Sequence, residues 1–389
     1  MKTLIELYDD RPIENVLATE VFRPERTVFL CPSAISEREK QTIISFMRLR
    51  GIGTECIFFE TNMYYTERIA SSLRKVISAY PDCVIDITGG TDAALFACGV
   101  VCETEKVPAF TYSRRQGCFF DIRGAAFAER VKCEIEHSVA DCFAMTGGAL
   151  REGRVAQSVL SKYEARFEPF FELYLKNRSG WAAAVDFFQT VSQNGKNRQP
   201  KLNIDVPCSV KNNRGRMIKA PKELIEALGK IGMLRNVSFS DERVRFTFFD
   251  AQVCAWLRDV GSVLELYVYK KCRDTGLFGD VCISAVVDWE GDNRRDNVTN
   301  EIDVMAMKGI LPVFISCKTC PVTTEALNEL AILRDRFGGK SAKAAIVTTR
   351  ECGSPARHRA AELGITVIDS TDLRNHRFDK RLRAMLAAD

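Results

Sequence analysis

The stretch NEIDVMAMKGILPVFISCK, residues 300–318, sets Glu301, Asp303, Ser316 and Lys318 among apolar residues on either side of one glycine. Side chains of a strand alternate between faces, so Glu301 and Asp303 share a side, as do Ser316 and Lys318. With a turn over residues 308–311, Met307 pairs with Pro312, and counting back sets Asp303 opposite Ser316 and Glu301 opposite Lys318. The four polar groups then occupy one face of a hairpin. Ile302, Val304, Ile315 and Cys317 occupy the other.

Such a cluster has the parts needed to hydrolyse a phosphodiester. Carboxylates hold hydrated Mg2+ or Mn2+, the ion makes water a better nucleophile, and a lysine positions that water and offsets charge on the phosphate. Glu265, in the apolar run GSVLELYVY, could hold metal-bound water. Asp288, at the end of VCISAVVDW, joins Asp303 and Glu301 as a candidate metal ligand. A cross-strand ion pair on a wet sheet face, worth under about 1 kcal/mol, accounts for Glu301 and Lys318. It does not account for Asp303, Asp288 or Glu265, because aspartate is a poor strand former and convergent carboxylates are costly without a cation.

The elements that would position these groups form an α/β chain in three regions, expected at 1–126, 127–237 and 238–389. In the first, the runs TLIELY, TVFLCP, TECIFFE, CVIDIT, VPAFTYS and CFFDI alternate with helical patterns over residues 36–50, 66–79 and 91–103, which predicts a parallel, doubly wound, Rossmann-like sheet. Neither GxGxxG nor GxxxxGK[ST] is present. The second region is helical and more polar. It carries SQNGKNRQPK and KNNRGRMIKAPK, which read equally as solvated connectors or as backbone-binding patches, and a short helical module with a β-wing fits. The third returns to strands in RVRFTFF, VCISAVVDW, EIDVMAM, PVFISCK, KAAIVTT and ITVIDS, and predicts a mixed sheet.

In an open α/β sheet, ligands sit at the carboxyl ends of strands near the switch in strand order. Those ends supply Asp10, Ser33, the run Thr88, Gly89, Gly90, Thr91 and Asp92, and Arg114. The double glycine permits a close approach to the backbone, and Thr91 can cap a helix whose N-terminus attracts an anion. The SERE sequence at residues 36–39 is a capping box.

The order GSVLELYVYKKC, VVDW, NEIDV and FISCK over residues 261–318 resembles the PD-(D/E)xK restriction-endonuclease-like fold, in the version found in CRISPR-associated ancillary nucleases where a Rossmann-type sensor precedes the nuclease. The resemblance implies a metal-dependent endonuclease with Asp303 as the central acidic ligand and Lys318 as the motif lysine. The acid expected two residues before that lysine is Ser316 here, a neutral and weaker ligand, so Glu301 or Asp288 supplies the missing charge or activity is reduced. DITGGTDAALFACG is similar to the corresponding segment of the CRISPR-associated Rossmann-fold (CARF) sensor domain. Membership would imply a cyclic oligoadenylate activator, most often cyclic tetra-adenylate, made when a type III CRISPR complex detects foreign RNA in antiviral defence. A symmetric ring is gripped by a two-fold homodimer.

The expected activity is therefore allosteric cleavage of single-stranded DNA, RNA or both. Two rivals stay open: a nucleotide-sensing regulator that binds nucleic acid with an inactive nuclease fold, and an N-terminal domain that cleaves the ring itself. A net charge of +4 on 389 residues advertises no polyanion through the whole-molecule field, so a nucleic-acid site must be local. No apolar run approaches the roughly 20 residues of a membrane span, and the start MKTLIELYDD lacks an apolar signal core, which suggests a cytoplasmic address. The 15 cysteines, often inside apolar runs, read as reduced core thiols, and three histidines with a single CxxC argue against a structural zinc site.

Overall fold

A computed structural model describes residues 2–151, 157–193, 199–292, 294, 296–339 and 341–387. Part of SQNGKNRQPK, residues 194–198, lies outside the described residues.

The N-terminal sheet contains β1 (Thr3–Leu7), β2 (Arg26–Pro32), β3 (Glu55–Thr61), β4 (Cys83–Asp86), β5 (Ala109–Ser113) and β6 (Cys118–Arg123), in the order β3-β2-β1-β4-β5-β6. All neighbours are parallel except β5 and β6. Every residue of β1 is buried, as expected where helices cover both faces of a parallel sheet. The covering helices Glu37–Leu49, Thr66–Ala79 and Asp92–Glu105 match the expected ones to within two residues. The Ser36 hydroxyl accepts from Glu39 N while the Glu39 side chain accepts from Ser36 N, so the capping box starts the first of them. Strand order reverses between β1 and β4, and that is the switch point.

The middle region is less independent than its sequence suggests. The Val139–Ala144 helix packs into a core that also holds Phe46 of the N-terminal domain and Leu330 and Phe337 of the C-terminal one. The short β7 (Ala149–Arg151) pairs with the C-terminal sheet. After the helices Glu164–Lys176 and Trp181–Ser192 come β8 (Asn203–Pro207), a small hairpin of β9 (Ser209–Lys211) and β10 (Met217–Lys219), the Lys222–Lys230 helix, β11 (Leu234–Phe239) and β12 (Arg243–Phe248). The larger sheet runs β11-β12-β8. The run RVRFTFF thus completes the middle module, on the far side of the expected division at 237/238, because β12 finds its partners in β8 and β11.

The C-terminal sheet adds β13 (Asp280–Asp288), β14 (Thr299–Lys308), β15 (Leu311–Lys318), β16 (Lys343–Thr348) and β17 (Ile365–Ile368), ordered β17-β16-β15-β14-β13-β7. The Ser262–Asp274 helix covers one face and the Thr324–Gly338 helix the other. Met307 pairs with Pro312, the register expected from the turn, and Gly309 takes φ +58 there. All fifteen cysteines are free and most are buried. Among the described residues no helix is long and apolar enough to cross a membrane.

Candidate active site

The ladder between β14 and β15 stops at Val304 and Ile315. Beyond that rung a side chain replaces the main chain: Asp303 Oδ2 accepts from Cys317 N at 2.6 Å and from Ser316 Oγ at 3.2 Å. The strands are therefore held together by a carboxylate, and Lys318 Nζ lies 3.9 Å from the same oxygen. Glu301, Asp303, Ser316 and Lys318 line one small cleft of about 40 Å3 whose far wall includes Ala326, Glu329, Leu330 and Leu333 of the Thr324–Gly338 helix.

Alternation does not run unbroken through this point. Val304, Ile315 and Cys317 face the Ser262–Asp274 helix, as expected, but Ile302 packs on the opposite side with Met305 and Leu330. The partner strand breaks at the same rung: Ile283 and Ala285 belong to different cores, and Ser284 between them has φ +50. A non-glycine residue in that region costs on the order of 1 kcal/mol or more and marks a local kink. The consequence is an Asp303 rung where the sheet opens, so that Glu265 acts on Asp303 from the other face.

Glu265 occupies the first turn of the Ser262–Asp274 helix. Burial, and then repulsion from Asp303, Asp259 and Glu301, pushes its carboxyl up to about 8, against a smaller opposing pull from Lys318. Burial likewise raises the Asp303 carboxyl, with Glu301 adding to it, although the Cys317 N–H, Lys318 and Ser316 oppose the shift. Both shifts come first from burial and then from neighbouring carboxylates, and a divalent cation would relieve the second of these. The hard oxygen donors suit Mg2+ or Mn2+. Among the described residues no three His, Cys, Asp or Glu side chains already stand as a complete ligand group, so water, main-chain carbonyls or substrate oxygens would fill most positions, as is usual for Mg2+.

Asp288 is not brought to this cluster. It sits at the far end of β13, where Arg151 Nη2 donates to it at 2.8 Å, Asn297 Nδ2 donates at 2.8 and 3.0 Å, and Glu290 N donates at 3.0 Å. Those bonds cap the turn after β13 and tie it to β7, and they engage the oxygens a metal would need.

At the N-terminal switch point the loop from β4 lies against the end of β1. Gly90 N donates to Asp9 Oδ2 at 2.8 Å, and Arg11 donates to Asp9 through its main chain, Nε and Nη2, each at 2.8 Å. These bonds hold the Asp9 carboxyl below the usual range even though burial works the other way. A Cβ on Gly89 would meet Asp9 Cβ at 3.0 Å and Glu14 Cβ at 3.1 Å, and one on Gly90, at φ +99, would meet Leu7 Cβ at 2.8 Å. The double glycine thus admits the end of β1 and the segment that follows it. Thr91 caps the Asp92–Glu105 helix by accepting from Ala94 N. Thr88 donates to Asp86 and accepts from Tyr112 N at 2.8 Å. Asp10, Ser33, Asp92 and Arg114 are exposed around this loop.

The strand end Asp9-Asp10-Arg11 is legible in the sequence, but its division of labour and the role of Glu14 are not. Asp9, not Asp10, binds the loop, in an Asx-type turn onto Arg11 for which the DxR spacing is the only signal. Glu14, buried, pairs with Arg114 and, at 3.4 Å, with Arg11. It also helps raise the buried Asp86, whose carboxyl burial pushes up to about 7.

Residues 257–385 match the family described as Card1-like, endonuclease domain. No curated protein matches the chain. Protein VC1899 from Vibrio cholerae has a similar crystal structure, with TM-score 0.78 and 17% identity over 100% of this chain and 99% of the other. Can2 from Sulfobacillus thermosulfidooxidans, solved in complex with cyclic tetra-adenylate, is similar with TM-score 0.70 and 16% identity over 100% of both chains. At these identities the two structures establish the fold over the whole length.

Proposed function

We propose that this chain, whose residues 257–385 belong to the Card1-like endonuclease domain family, is a metal-dependent nuclease of CRISPR antiviral defence switched on by a cyclic oligoadenylate. The observation that carries the reading is the meeting of Asp303, Lys318 and Glu265, on three separate elements, inside the matched segment.

Asp303 and Glu301 would hold Mg2+ or Mn2+, and the bound ion would supply an activated water and polarise the phosphate. Lys318 orients that water and stabilises negative charge on the phosphate as it develops. Ser316 donates to Asp303 Oδ2 and so positions the carboxylate. Glu265, with its raised carboxyl, takes or returns a proton near neutral pH. Asp288, engaged by Arg151 and Asn297, is left to the turn.

For the sensor, the fold shared with a protein solved with cyclic tetra-adenylate supports that ring as activator. The loop 88–92, with Asp10, Ser33 and Arg114, is the proposed ring site. Exposed Phe96 (69%) and Val100 (42%) lie one turn apart on the Asp92–Glu105 helix, and Tyr64 and Tyr65 are exposed as well. These residues suit a homodimer face. The core shared by Phe46, Phe143 and Phe337 couples sensor and nuclease packing, which an allosteric transition needs.

The test is cleavage of single-stranded DNA and RNA by the purified protein with Mn2+, with and without cyclic tetra-adenylate. Cleavage should be much faster with the ring and absent in Asp303→Ala or Lys318→Ala. An unchanged rate with and without the ring defeats the switch. Ser316, in the place of an acid, favours a second reading, a ring-sensing regulator that binds nucleic acid without cutting it. Ring-dependent binding without cleavage would select that reading.

A further inference from the structure

The hairpin of β9 and β10 carries a local concentration of positive charge. Its register pairs Lys211 with Met217, Val210 with Ile218 and Ser209 with Lys219. Ile218 and Val210 face the core, so Lys211, Met217 and Lys219 share the outer face. The turn adds exposed Arg214 and Arg216. Among the described residues none of Lys211, Arg214, Arg216 and Lys219 has an ion-pair partner, whereas Arg243 and Arg245 on neighbouring β12 are both paired to Asp205. Met217 is 60% exposed among these cations.

The turn is rigidly seated. Asn212 Oδ1 accepts from Arg214 N at 3.0 Å and from Arg216 N at 2.9 Å, and Asn212 Nδ2 donates to Asp186 of the Trp181–Ser192 helix at 2.9 Å. Its cleft borders the residue before the N-cap of the helix that carries Glu265. Asn212, Asn213 and Arg214 line a cleft of about 420 Å3 with Val260. Val260 precedes Gly261, at which a Cβ would stand 3.1 Å from Glu265 Oε1. By contrast the turn between β11 and β12 carries Asp241 and Glu242, so the three-stranded sheet does not present a basic wing.

We infer that the β9–β10 hairpin is a sequence-independent clamp for the phosphodiester backbone of the nucleic acid that the nuclease site would cut. The inference rests on the nuclease reading for the identity of the polymer. Four unpaired cations on a pre-ordered turn match the sign of successive phosphates, and each phosphate contact releases a counterion. The exposed Met217 offers an apolar contact to a sugar or base between them.

The test measures binding apart from cutting. Anisotropy of a labelled oligonucleotide is read in EDTA with the full-length protein, the cyclic tetra-adenylate ring present. Lys211→Ala, Arg214→Ala, Arg216→Ala and Lys219→Ala combined should weaken binding at least tenfold and lower the slope of log K against log salt by roughly 0.7–0.9 per lost contact. With Mn2+, the KM for cleavage should rise far more than kcat falls. The charge-keeping set Lys211→Arg, Arg214→Lys, Arg216→Lys and Lys219→Arg should restore binding, which separates charge from hairpin stability. Neutralising exposed Lys75, Lys380 and Arg383 instead should change affinity less than twofold. Affinity and salt slope equal to wild type in the hairpin variant, an equal loss in the control set, or failure of the charge-keeping set would each overturn the clamp. Binding of polyglutamate as tight as of the oligonucleotide would overturn it in favour of an acidic protein partner. A wild-type protein that binds no nucleic acid sinks the nuclease reading itself, and that outcome is distinct from a wild type that binds and a hairpin variant that binds equally.

Discussion

Asp303 and Cys317 are joined by a 2.6 Å hydrogen bond from the Cys317 main-chain N–H to Asp303 Oδ2, so that a side chain closes the ladder where β14 and β15 part. Asparagine can accept the same bond but carries no charge. Asp303→Asn should keep the melting temperature within a few degrees, or raise it by easing repulsion with Glu265, while ring-stimulated cleavage falls by about 100-fold or more. Loss of fold in this variant, read by circular dichroism, would make Asp303 a structural residue.

Glu265 gives a pH dependence with a definite sign. Its carboxyl is raised to about 8 by burial and then by neighbouring carboxylates, so between its unfolded value and about 8 the folded protein holds a proton that the unfolded chain has lost. Stability from this group is full at low pH and is lost as pH rises through that window, each unit being about 1.4 kcal/mol. Urea denaturation without metal should show stability falling from pH 5 to pH 8, and Glu265→Gln should flatten that slope. Added Mn2+ should stabilise the wild type more at pH 8 than at pH 6, because a cation is most effective when the carboxylates are charged. Equal stabilisation at both would count against the cluster as the metal site.

Lys318 lies 3.9 Å from the Asp303 carboxylate and is itself only partly exposed. Lys318→Met should lower cleavage by about 100-fold or more, and should raise the Glu265 carboxyl further, since Lys318 is what opposes its shift. The second effect is readable by NMR titration in the absence of substrate and would be missing if Lys318 served only to bind the polymer.

In the sensor, Arg114 is held by buried Glu14. Arg114→Ala should weaken cyclic tetra-adenylate binding about tenfold or more by calorimetry, with nuclease activity recovered at saturating ring. Gly90→Ala should instead destabilise the domain by about 2–4 kcal/mol, because φ +99 and the 2.8 Å contact to Leu7 Cβ leave no room for a methyl. A Gly90→Ala protein that melts like the wild type would mean the loop shifts freely.

Phe96 and Val100 form an exposed apolar pair on one helix face. Phe96→Glu should shift the protein toward monomer in sedimentation and raise the ring concentration needed for half-activation. An unchanged mass would move the dimer face elsewhere.

The sequence by itself determined what depends on neighbours along the chain. The SERE box starts the Glu37–Leu49 helix, Thr91 caps the Asp92–Glu105 helix, and the glycine turn with its flanking alternation sets Met307 opposite Pro312. These follow from local dihedrals, caps and the two-residue strand period, and they were enough to bring Asp303, Ser316 and Lys318 together. Tertiary structure alone decided where distant charges meet and where the period fails. Arg151 from β7 takes Asp288 out of the cluster, Glu14 takes Arg114, and β12 joins β8 and β11 across the expected boundary. The kink at Ser284 and Asp303, which sends Ile302 to the other core and opens the sheet toward Glu265, has no signature in residue types. Two helices packing on opposite faces hold that rung in a costly conformation, and such strain persists only when contacts far apart in sequence over-determine it.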